Sequence, residues 1–489
     1  MNKHLTVLLV ITLFRLACAS MAASTATEPP VVEVLVSYQE YDAGAPWQSN
    51  PTQSRRGFGL LMDPSYIVTT EVMVRNQTLI EIRRPRAGRK ETATLILADP
   101  QINLALLRMA NSTNEPSAIA VPEPSIDTET VAAEIVQIGA NGELQIGRGR
   151  IAQWKVSPFA ESPYSALLAL ILTDLNIDGS GAPVFSKGEL AGLVVSYDAS
   201  TRSASMLPVQ TITRFIRDVQ QPPYLGFASG GFAWKPMVDQ TKRRFFGLLS
   251  DTTGGIQVTG VLQTKTGRNP LLPNDIVLEL GGVAIDEQGY YEDPNWGRLY
   301  FSHLIHKRYS PGDTITVKFI RDRQMMTEDM VLSRHDDTAL LIPENAEGSP
   351  EGYLVDGGFV IRELTGQMLK SGGAQWTTRT EPRLAHLYLT RQNTPEKPGE
   401  RVVILSAVLP DPINIGYQHL RSIVVDSVNG TPVLNLKEVF AAVDRERGIH
   451  RLGLAGIEVD IALDAAALPT ANQRIANQYR IPSLRRPAF

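Results

Sequence analysis

The stretch Asp178-Gly179-Ser180-Gly181-Ala182-Pro183 places one serine between two glycines, just before an alanine and a proline. Glycine and proline in this order predict a tight turn, in which a small residue such as Ser180 is accommodated. Short β-like runs separated by Gly, Pro, Asn and Asp lie on both sides, at residues 31–36, 59–62, 66–69, 93–97, 104–109 and 190–195. Their number and spacing predict a sandwich or barrel over residues 31–218.

A helix is predicted to close this β region. Val209, Ile212, Ile216 and Val219 follow a 3-4-3 spacing, with Phe215 beside them. This pattern is typical of an amphipathic helix. The sequence Gln220-Gln221-Pro222-Pro223 follows this helix and marks a domain boundary.

A weak internal repeat follows the boundary. Residues 276–282 and 423–430 each form a buried β-like run that enters a turn before a second short strand. A candidate helix follows each copy, at residues 299–308 and 436–444. Two small α+β modules of similar design are therefore predicted.

The first 22 residues are predicted to be an export signal. Lys3 and His4 precede a largely apolar run over residues 5–14, and small residues follow at Ala19 and Ala22, where cleavage is expected. An uncleaved anchor is the alternative, although a run this short does not span a bilayer comfortably.

Composition and charge narrow the function classes. The length of 489 residues allows about two to four domains. A net charge of −4 argues against extensive nucleic-acid or membrane-surface binding. Cys18, the only cysteine, lies in the signal, and a lipoprotein site there is a minor alternative because Arg15 replaces the expected aliphatic residue. Without Cys18 the mature chain has neither a disulfide nor a thiol nucleophile.

Several fragments carry a family resemblance in their collinear order, among them Ser180-Gly181-Ala182-Pro183, Tyr224-Leu225-Gly226-Phe227 and Gly357-Gly358-Phe359-Val360. Other fragments lie at residues 45–48, 57–60, 66–70, 99–107, 173–174, 208, 403–406, 413–417 and 480–483. Together they resemble the HtrA/Deg serine proteases over nearly the whole mature chain. The resemblance is greatest to the plant and fungal Deg branch with an atypical second PDZ domain.

The resemblance implies a mostly β fold: a chymotrypsin/trypsin-like double β-barrel followed by two α+β PDZ-type domains. The expected boundaries are 1–22 for the signal peptide, 31–220 for the trypsin-like domain, 222–335 for the first PDZ domain, 341–465 for the second PDZ-like domain and 466–489 for a C-terminal extension.

The resemblance assigns Ser180 to the position of the family's nucleophile, but the other two triad positions differ. Val72 stands where the family has its histidine, and Asn103 stands where it has its aspartate. No histidine occurs between His4 and His303, so a shifted alignment does not restore the base. Because a serine hydroxyl needs a base to become a nucleophile, a pseudoprotease is expected.

An active serine endopeptidase with a non-standard base is the alternative. The barrel region contains lysines only at 90, 155 and 187, and Asp174 or Asp178 could approach Ser180. Asp178 also replaces a glycine of the family's oxyanion loop. Its Cβ restricts the backbone, and its charge opposes a developing oxyanion.

Peptide binding is expected in the first PDZ-type domain. Tyr224-Leu225-Gly226-Phe227 stands at the family's carboxylate-binding loop, and the predicted helix with Phe301, Leu304 and Ile305 forms the other wall. An ordinary strand start is the structural alternative. In the second module a long segment, residues 361–401, follows Gly357-Gly358-Phe359-Val360, so no ligand is assigned to it.

The resulting hypothesis is an exported periplasmic or cell-envelope protein that binds peptides or unfolded segments, possible C-termini among them, in protein quality control or as a regulator of active homologues. The resemblance implies homo-oligomers built on trimers, or mixed assembly with active relatives. A structural envelope scaffold is a further alternative. No cofactor, metal or nucleic-acid partner is predicted; His303 and His306 lack a partner cluster that would indicate metal binding.

Overall fold

The computed structural model describes residues 29–112, 119, 132–159, 164–248, 254–262, 268–345, 350–373, 375–445, 448–456 and 461–487. The predicted signal peptide and Cys18 lie outside these residues. The chain from Val31 onward forms one compact unit. None of the helices in the described ranges has the length and apolar character needed to cross a bilayer.

Six strands close into a first barrel: β1 (Val31–Tyr38), β2 (Gln53–Asp63), β3 (Tyr66–Thr69), β4 (Gln77–Arg83), β5 (Glu91–Asp99) and β6 (Leu104–Met109). Their order around the barrel is β1-β2-β3-β6-β5-β4. Alternate residues of β1, Val32, Val34 and Val36, lie in one core, as expected from the alternation of side chains along a strand. A short helix, α1 (Glu71–Val74), follows β3.

Six further strands close a second barrel: β7 (Ala132–Ile138), β8 (Leu144–Pro158), β9 (Ser165–Thr173), β10 (Pro183–Ser186), β11 (Glu189–Asp198) and β12 (Ser203–Pro208). Their order is β10-β11-β12-β9-β8-β7. Helix α2 (Val209–Val219) closes the region with the predicted bounds, and buries Ile212, Phe215 and Ile216. Both the double barrel and this helix confirm the expectations from the sequence.

The middle module is an antiparallel sheet in the order β14-β15-β16-β20-β21, with β17 paired to β16. Its strands and helices are β13 (Ala228–Ser229), β14 (Phe232–Pro236), α3 (Gln240–Phe245), β15 (Ile256–Val261), β16 (Ile276–Leu280), β17 (Val283–Ala284), β18 (Tyr290–Asp293), β19 (Gly297–Tyr300), α4 (Phe301–Arg308), β20 (Thr314–Arg321), β21 (Gln324–Val331) and β22 (Ser333–Arg334). β13 pairs with β22, and β18 pairs with β19.

The C-terminal module contains β23 (Tyr353–Asp356), β24 (Phe359–Glu363), α5 (Gly366–Lys370), α6 (Trp376–Arg379), α7 (Pro382–Arg391), β25 (Val403–Val408), β26 (Ile423–Val428), β27 (Thr431–Pro432), α8 (Leu436–Arg445), β28 (Ile449–Leu454), β29 (Ile461–Asp464), α9 (Leu468–Tyr479) and β30 (Arg485–Arg486). The sheet order is β29-β28-β26-β25-β24-β23-β30, with β27 on β26. The segment assigned to a C-terminal extension thus adds a strand to this sheet.

The predicted repeat is visible in the structure. β16 enters a turn at Gly281-Gly282 before β17, and β26 enters a turn at Asn429-Gly430 before β27. Helices α4 and α8 follow the two copies within two residues of the predicted bounds. The two modules therefore share one arrangement of strand, turn, short strand and helix.

Candidate functional site

Ser180 lies in the loop between β9 and β10, packed directly against β2. Its carbonyl oxygen accepts the backbone N–H of Phe58 at 2.8 Å. Gly181 has a φ of +88°, and a Cβ there would lie 1.9 Å from the Phe58 carbonyl oxygen. A Cβ at Gly179 would lie 2.5 Å from the carbonyl oxygen of Arg56. The two glycines therefore let this turn approach the strand closely.

The hydroxyl of Ser180 is hydrogen-bonded to another hydroxyl. Its Oγ lies 2.8 Å from Oγ1 of Thr70, which is fully buried immediately before α1. Within the described ranges, no other side chain is hydrogen-bonded to this Oγ. A threonine hydroxyl has no basic character at neutral pH, so this pair holds the serine in place without activating it.

The two other positions assigned to the triad do meet in space. The backbone N–H of Val72 donates to Oδ1 of Asn103 at 3.0 Å. Asn103 is buried and adopts a left-handed conformation with a φ of +54°. The contact joins the Val72 backbone to the Asn103 side chain, and the two side chains are a hydrocarbon and a neutral amide.

The acidic candidates for a replacement base have other partners. Oδ1 of Asp174 accepts the backbone N–H of Arg148 at 2.9 Å, across the end of β9. Asp178 accepts a hydrogen bond from Nη1 of Arg56 at 3.4 Å. Arg56 in turn contacts the fully buried carboxylate of Glu33. The hydrogen bonds described for these two aspartates are therefore with groups other than the serine hydroxyl.

The basic candidates are also placed elsewhere. Lys90 pairs with Glu81 at 2.9 Å, Lys155 lies within β8, and Lys187 occupies the turn between β10 and β11. In the middle module, Nδ1 of His303 lies 2.6 Å from the Tyr291 hydroxyl. His303, like the other histidines in the described part of the chain, makes no hydrogen bond with Ser180.

In the loop before Ser180, the backbone N–H of Asp178 is hydrogen-bonded to another side chain of the protein. The N–H of Asp178 donates to Oε1 of Gln137 at 3.2 Å. Gln137 is buried and is fixed by hydrogen bonds from its Nε2 to Gln145 Oε1 and to the Asn176 carbonyl, both at 2.9 Å. Stabilising an oxyanion requires backbone N–H donors aimed at the developing charge. The Asp178 N–H instead donates a hydrogen bond to the side chain of Gln137.

The segment Tyr224–Phe227, predicted as a carboxylate-binding loop, lies at the junction between the barrels and the middle module. The Tyr224 hydroxyl donates to Oδ2 of the fully buried Asp99 at 2.5 Å, and burial raises the pKa of this hydroxyl. Phe227 is buried, with the guanidinium of Arg214 4.4 Å from its ring centre. Gly226 has a φ of +74°, and Leu225 alone in the segment is exposed. These contacts join the two domains.

An edge strand, β14, follows this segment after the short strand β13. β14 pairs with β15, and no other described strand pairs with it. The turn Gly230-Gly231 precedes it, with Gly231 at a φ of +64°. Phe232 stacks on Phe301 of α4 with ring centres 5.7 Å apart, and a Cβ at Gly230 would lie 3.2 Å from Cδ1 of Ile305. A free strand edge beside a helix is the geometry used for peptide addition.

The predicted binding residues lie in two places: the helix residues lie beside β14, and the Tyr224–Phe227 segment lies at the domain junction. Phe301 and Ile305 face the groove strand, whereas Leu304 is fully buried in the module core. Phe232 and Trp234 were not predicted. The signal that could have found them is the Gly-Gly-Phe sequence shared by residues 230–232 and 357–359.

The corresponding strand of the C-terminal module has no free edge. β24 pairs with β23 on one side and with β25 on the other. Its glycine turn is also satisfied internally: the N–H of Gly357 donates to Asn472 Oδ1 at 2.7 Å, and Asn414 Nδ2 donates to the Gly357 carbonyl at 2.8 Å. Peptide addition to β24 would require displacement of the chain's own strand.

Comparisons with known proteins agree with this architecture. Residues 342–487 match the family model of a PDZ domain. The chain is 24% identical over 444 residues to putative protease Do-like 3, mitochondrial, of Arabidopsis thaliana, covering 90% of this chain and 76% of that protein. It is 24% identical over 446 residues to putative protease Do-like 13 of the same plant, covering 89% and 84%.

Two further similarities have lower sequence identity. The chain is 20% identical over 528 residues to the serine protease DegP homolog of Plasmodium falciparum, covering 86% of this chain and 59% of that protein. Among solved structures, the HtrA-type protease AlgW with a decapeptide has a TM-score of 0.44 and 16% identity, covering 63% of this chain and 96% of that chain. Together with the double barrel, the named relatives and the PDZ match support assignment of the chain to the HtrA/Deg family.

Proposed function

We propose that this chain is a non-catalytic HtrA/Deg homologue that binds peptides or unfolded protein segments through its middle PDZ-type module. The observation that carries the proposal is the arrangement around Ser180: a buried threonine hydroxyl is its partner, and Val72 and Asn103 occupy the positions of base and carboxylate. Removal of the triad histidine alone costs on the order of a million-fold in turnover in such enzymes. The free edge of β14 remains available for a ligand.

Peptide binding at β14 can be separated from binding at the Tyr224–Phe227 segment by two matched truncations. Phe232→Ala removes a half-buried ring from the groove, whereas Leu225→Ala removes an exposed side chain from the other segment. We expect Phe232→Ala to weaken the binding of a fluorescent C-terminal peptide at least about tenfold, since central aromatic anchors dominate such interfaces. Leu225→Ala should bind as the unmodified protein does. The reverse pattern would place the ligand at the Tyr224–Phe227 segment.

Proteolysis is tested on the same preparations with unfolded casein. We expect no cleavage above that of Ser180→Ala. Cleavage that disappears in this variant would instead establish the alternative, a serine endopeptidase with a non-standard base.

The proposed cellular role rests on the family and on the export signal predicted at residues 1–22. An export signal over residues 1–22 would deliver the chain to the periplasm or cell envelope, where peptide capture would serve protein quality control. Mixed assembly with active homologues, or trimer-based homo-oligomers, would let it modulate their activity. Size-exclusion chromatography with light scattering, alone and with an active relative, tests this part of the proposal.

A scaffold role is favoured for the C-terminal module by one observation: both edges of β24 are already paired. We propose that this module serves to hold the chain together rather than to bind free peptide. A peptide that binds the unmodified protein and the Phe232→Ala variant equally well would contradict this division of roles.

A further inference from the structure

We propose that the C-terminal module is a recognition module for one segment of this chain, the turn at residues 41–48 between β1 and β2, and that it binds the same segment supplied in trans once its own copy is removed. The proposed recognition rests on the holding role given to this module above and names what the module holds. Its surface is a face of the C-terminal sheet, separate from the groove beside β14.

Three residues of the C-terminal module form a row across neighbouring strands. Tyr353 of β23 pairs with Arg362 of β24 on one side and with Arg486 of β30 on the other. Directly opposite residues of neighbouring strands project from the same face of a sheet, so the phenol lies between two guanidinium groups. The guanidinium of Arg486 lies 4.9 Å from the ring centre of Tyr353. These three residues are called the arginine–tyrosine row below.

Two main-chain carbonyls of the 41–48 turn are bound by the arginines of the row. Nη1 of Arg362 donates to the carbonyl oxygen of Ala43 at 2.7 Å, and Nη2 of Arg486 donates to that of Pro46. Hydrogen bonds from a charged donor are stronger than those between neutral groups. Because both acceptors belong to the backbone, the arginines recognise the shape of the turn.

An aromatic side chain of the turn adds selectivity. The ring of Trp47 meets that of Tyr353 edge-on, with centres 5.9 Å apart. Trp47 is also buried in a cluster with Val355, Ile475 and Ile481 of the C-terminal module. Buried aromatic anchors contribute a large share of the binding free energy at such interfaces. The module therefore favours a turn that carries tryptophan at this position over one with a small side chain.

The 41–48 turn is shaped by hydrogen bonds within itself. Oδ1 of Asp42 accepts the backbone N–H of Gly44 at 2.7 Å and that of Ala45 at 3.2 Å. The N–H of Gln48 donates to the carbonyl of Ala45 at 2.7 Å, and the N–H of Asp42 donates to the carbonyl of Gln48 at 3.0 Å. A short peptide with these residues can form the same turn, so it loses less conformational entropy on binding.

The arginine–tyrosine row depends on the turn for its own hydrogen bonding. Arg362 is almost fully buried, and its Nη2 is paired with Glu351 while its Nη1 donates to the turn. Departure of the turn would leave a buried, charged donor without this acceptor, which is costly. It would also expose the apolar surface around Tyr353 to water. Both effects favour the capture of a replacement segment with the same features.

Fluorescence anisotropy with a labelled peptide of residues 39–50 tests the proposal. The peptide carries an N-terminal fluorophore and an amidated C-terminus, so it lacks a free carboxylate. In the unmodified protein the chain's own turn occupies the row and competes at a high effective concentration. The double variant Asp42→Ala and Trp47→Ala removes the turn-forming acceptor and the aromatic anchor from that competitor. We expect this variant to bind the peptide at least about tenfold more tightly than the unmodified protein does.

Matched changes assign the binding to the row. Adding Arg486→Ala to the double variant should weaken peptide binding at least about tenfold, because it removes the donor to one main-chain carbonyl and a cation–ring contact. Adding Arg474→Ala instead, at an arginine of the same module that pairs with Asp411, should leave binding unchanged. A peptide with alanine in place of Trp47 should bind at least about tenfold more weakly.

Circular dichroism checks that each variant is folded. If the double variant unfolds, Trp47→Ala alone gives the same comparison with a smaller gain in affinity. Equal binding by the unmodified protein and the folded variant, or binding by neither, would overturn the proposal. Phe232→Ala in the same background separates the row from the groove beside β14. Loss of binding on this change would place the peptide in that groove, which would overturn the recognition by the C-terminal module and leave the function proposed for the middle module intact.

Discussion

The backbone N–H of Val72 is hydrogen-bonded to Oδ1 of Asn103 at 3.0 Å. This contact joins the start of α1 to the turn between β5 and β6, beside the strand that supports Ser180. Where a protease of this fold would place an imidazole and a carboxylate, the chain has a neutral, purely structural hydrogen bond. If Val72 and Asn103 occupy the triad positions, as the proposed function holds, this pair supplies no imidazole for proton transfer.

Replacing Asn103 tests this structural role. Asn103→Ala leaves the partly buried Val72 N–H without its acceptor and places alanine at a φ of +54°. We expect the loss of the hydrogen bond and the conformational cost to lower the free energy of unfolding of the barrels by about 2–3 kcal/mol. Differential scanning calorimetry measures the effect. Asn103→Asp retains the acceptor oxygen and serves as the matched control; an alanine variant as stable as the unmodified protein would contradict the assigned role.

The junction between the barrels and the middle module depends on Asp99. Its carboxylate accepts from Tyr224 at 2.5 Å and from Arg334 at 3.1 Å, and it is fully buried. Asp99→Asn removes the charge that pairs with Arg334, whose side chain is itself partly exposed. We expect docking to weaken by about 1–2 kcal/mol, so that limited proteolysis between residues 220 and 228 becomes roughly fivefold or more faster.

An exposed aspartate provides the comparison for this junction. Asp198 makes its hydrogen bonds with the nearby Ser200, so Asp198→Asn should leave the proteolysis rate unchanged. Equal rates for the two variants would show that Asp99 does not hold the modules together.

Acid should destabilise the middle module through two histidines of α4. Burial lowers the pKa of both His303 and His306 to about 4. At His303, Asp293 opposes this shift and Lys307 adds to it. At His306, Arg214 adds to the shift. The unfolded chain takes up these protons near pH 6.5, but the folded chain does so only near pH 4. Stability contributed by the neutral forms is therefore complete above pH 6.5 and falls as the pH drops towards 4.

Thermal unfolding at pH 7.5, 5.5 and 4.5 measures this dependence. We expect the double change His303→Gln and His306→Gln to flatten the loss of stability between pH 6.5 and 4. His386→Gln, at an exposed position of α7, should retain the full slope. A double variant that loses stability as steeply as the unmodified protein would assign the acid sensitivity to other groups.

Local patterns were sufficient for most of the fold. The spacing of Ile212, Phe215 and Ile216 predicted α2 with its observed bounds, because burial of one helical face is a periodic constraint. The assignment of Val72 and Asn103 to the triad positions rests on motifs of a few residues and stays a prediction. Such features depend on near neighbours in the chain and so can be read without a structure.

The candidate peptide groove beside β14 was harder to locate from the sequence, because its assignment depends on contacts between residues far apart in the chain. Tyr224 and Phe227 fit a carboxylate-binding motif locally, yet they pack on Asp99 and Arg214, which belong to the barrels. The strand with a free edge is instead β14, which begins at Phe232. No local pattern distinguishes an aromatic residue that lines a groove from one that seals a domain junction.

Contacts between the ends of the chain were also beyond local reasoning. Trp47, in the loop after β1, is buried against Tyr353 of β23, with ring centres 5.9 Å apart. Buried Arg362 donates to the carbonyl oxygen of Ala43 at 2.7 Å, and burial lowers the pKa of its guanidinium to about 10. These pairs are separated by some three hundred residues, so only the folded chain reveals why the loop carries an aromatic residue.

Labelling of Ser180 by a fluorophosphonate probe tests the central claim most directly, since the probe reacts with a serine only when a base activates it. The measurement compares the intact protein, Ser180→Ala and an active family member under identical conditions. We predict that the first two are labelled equally and at background, while the active relative reacts. Labelling of the intact protein that is lost in Ser180→Ala would show that some group accepts the serine proton, and would contradict the account.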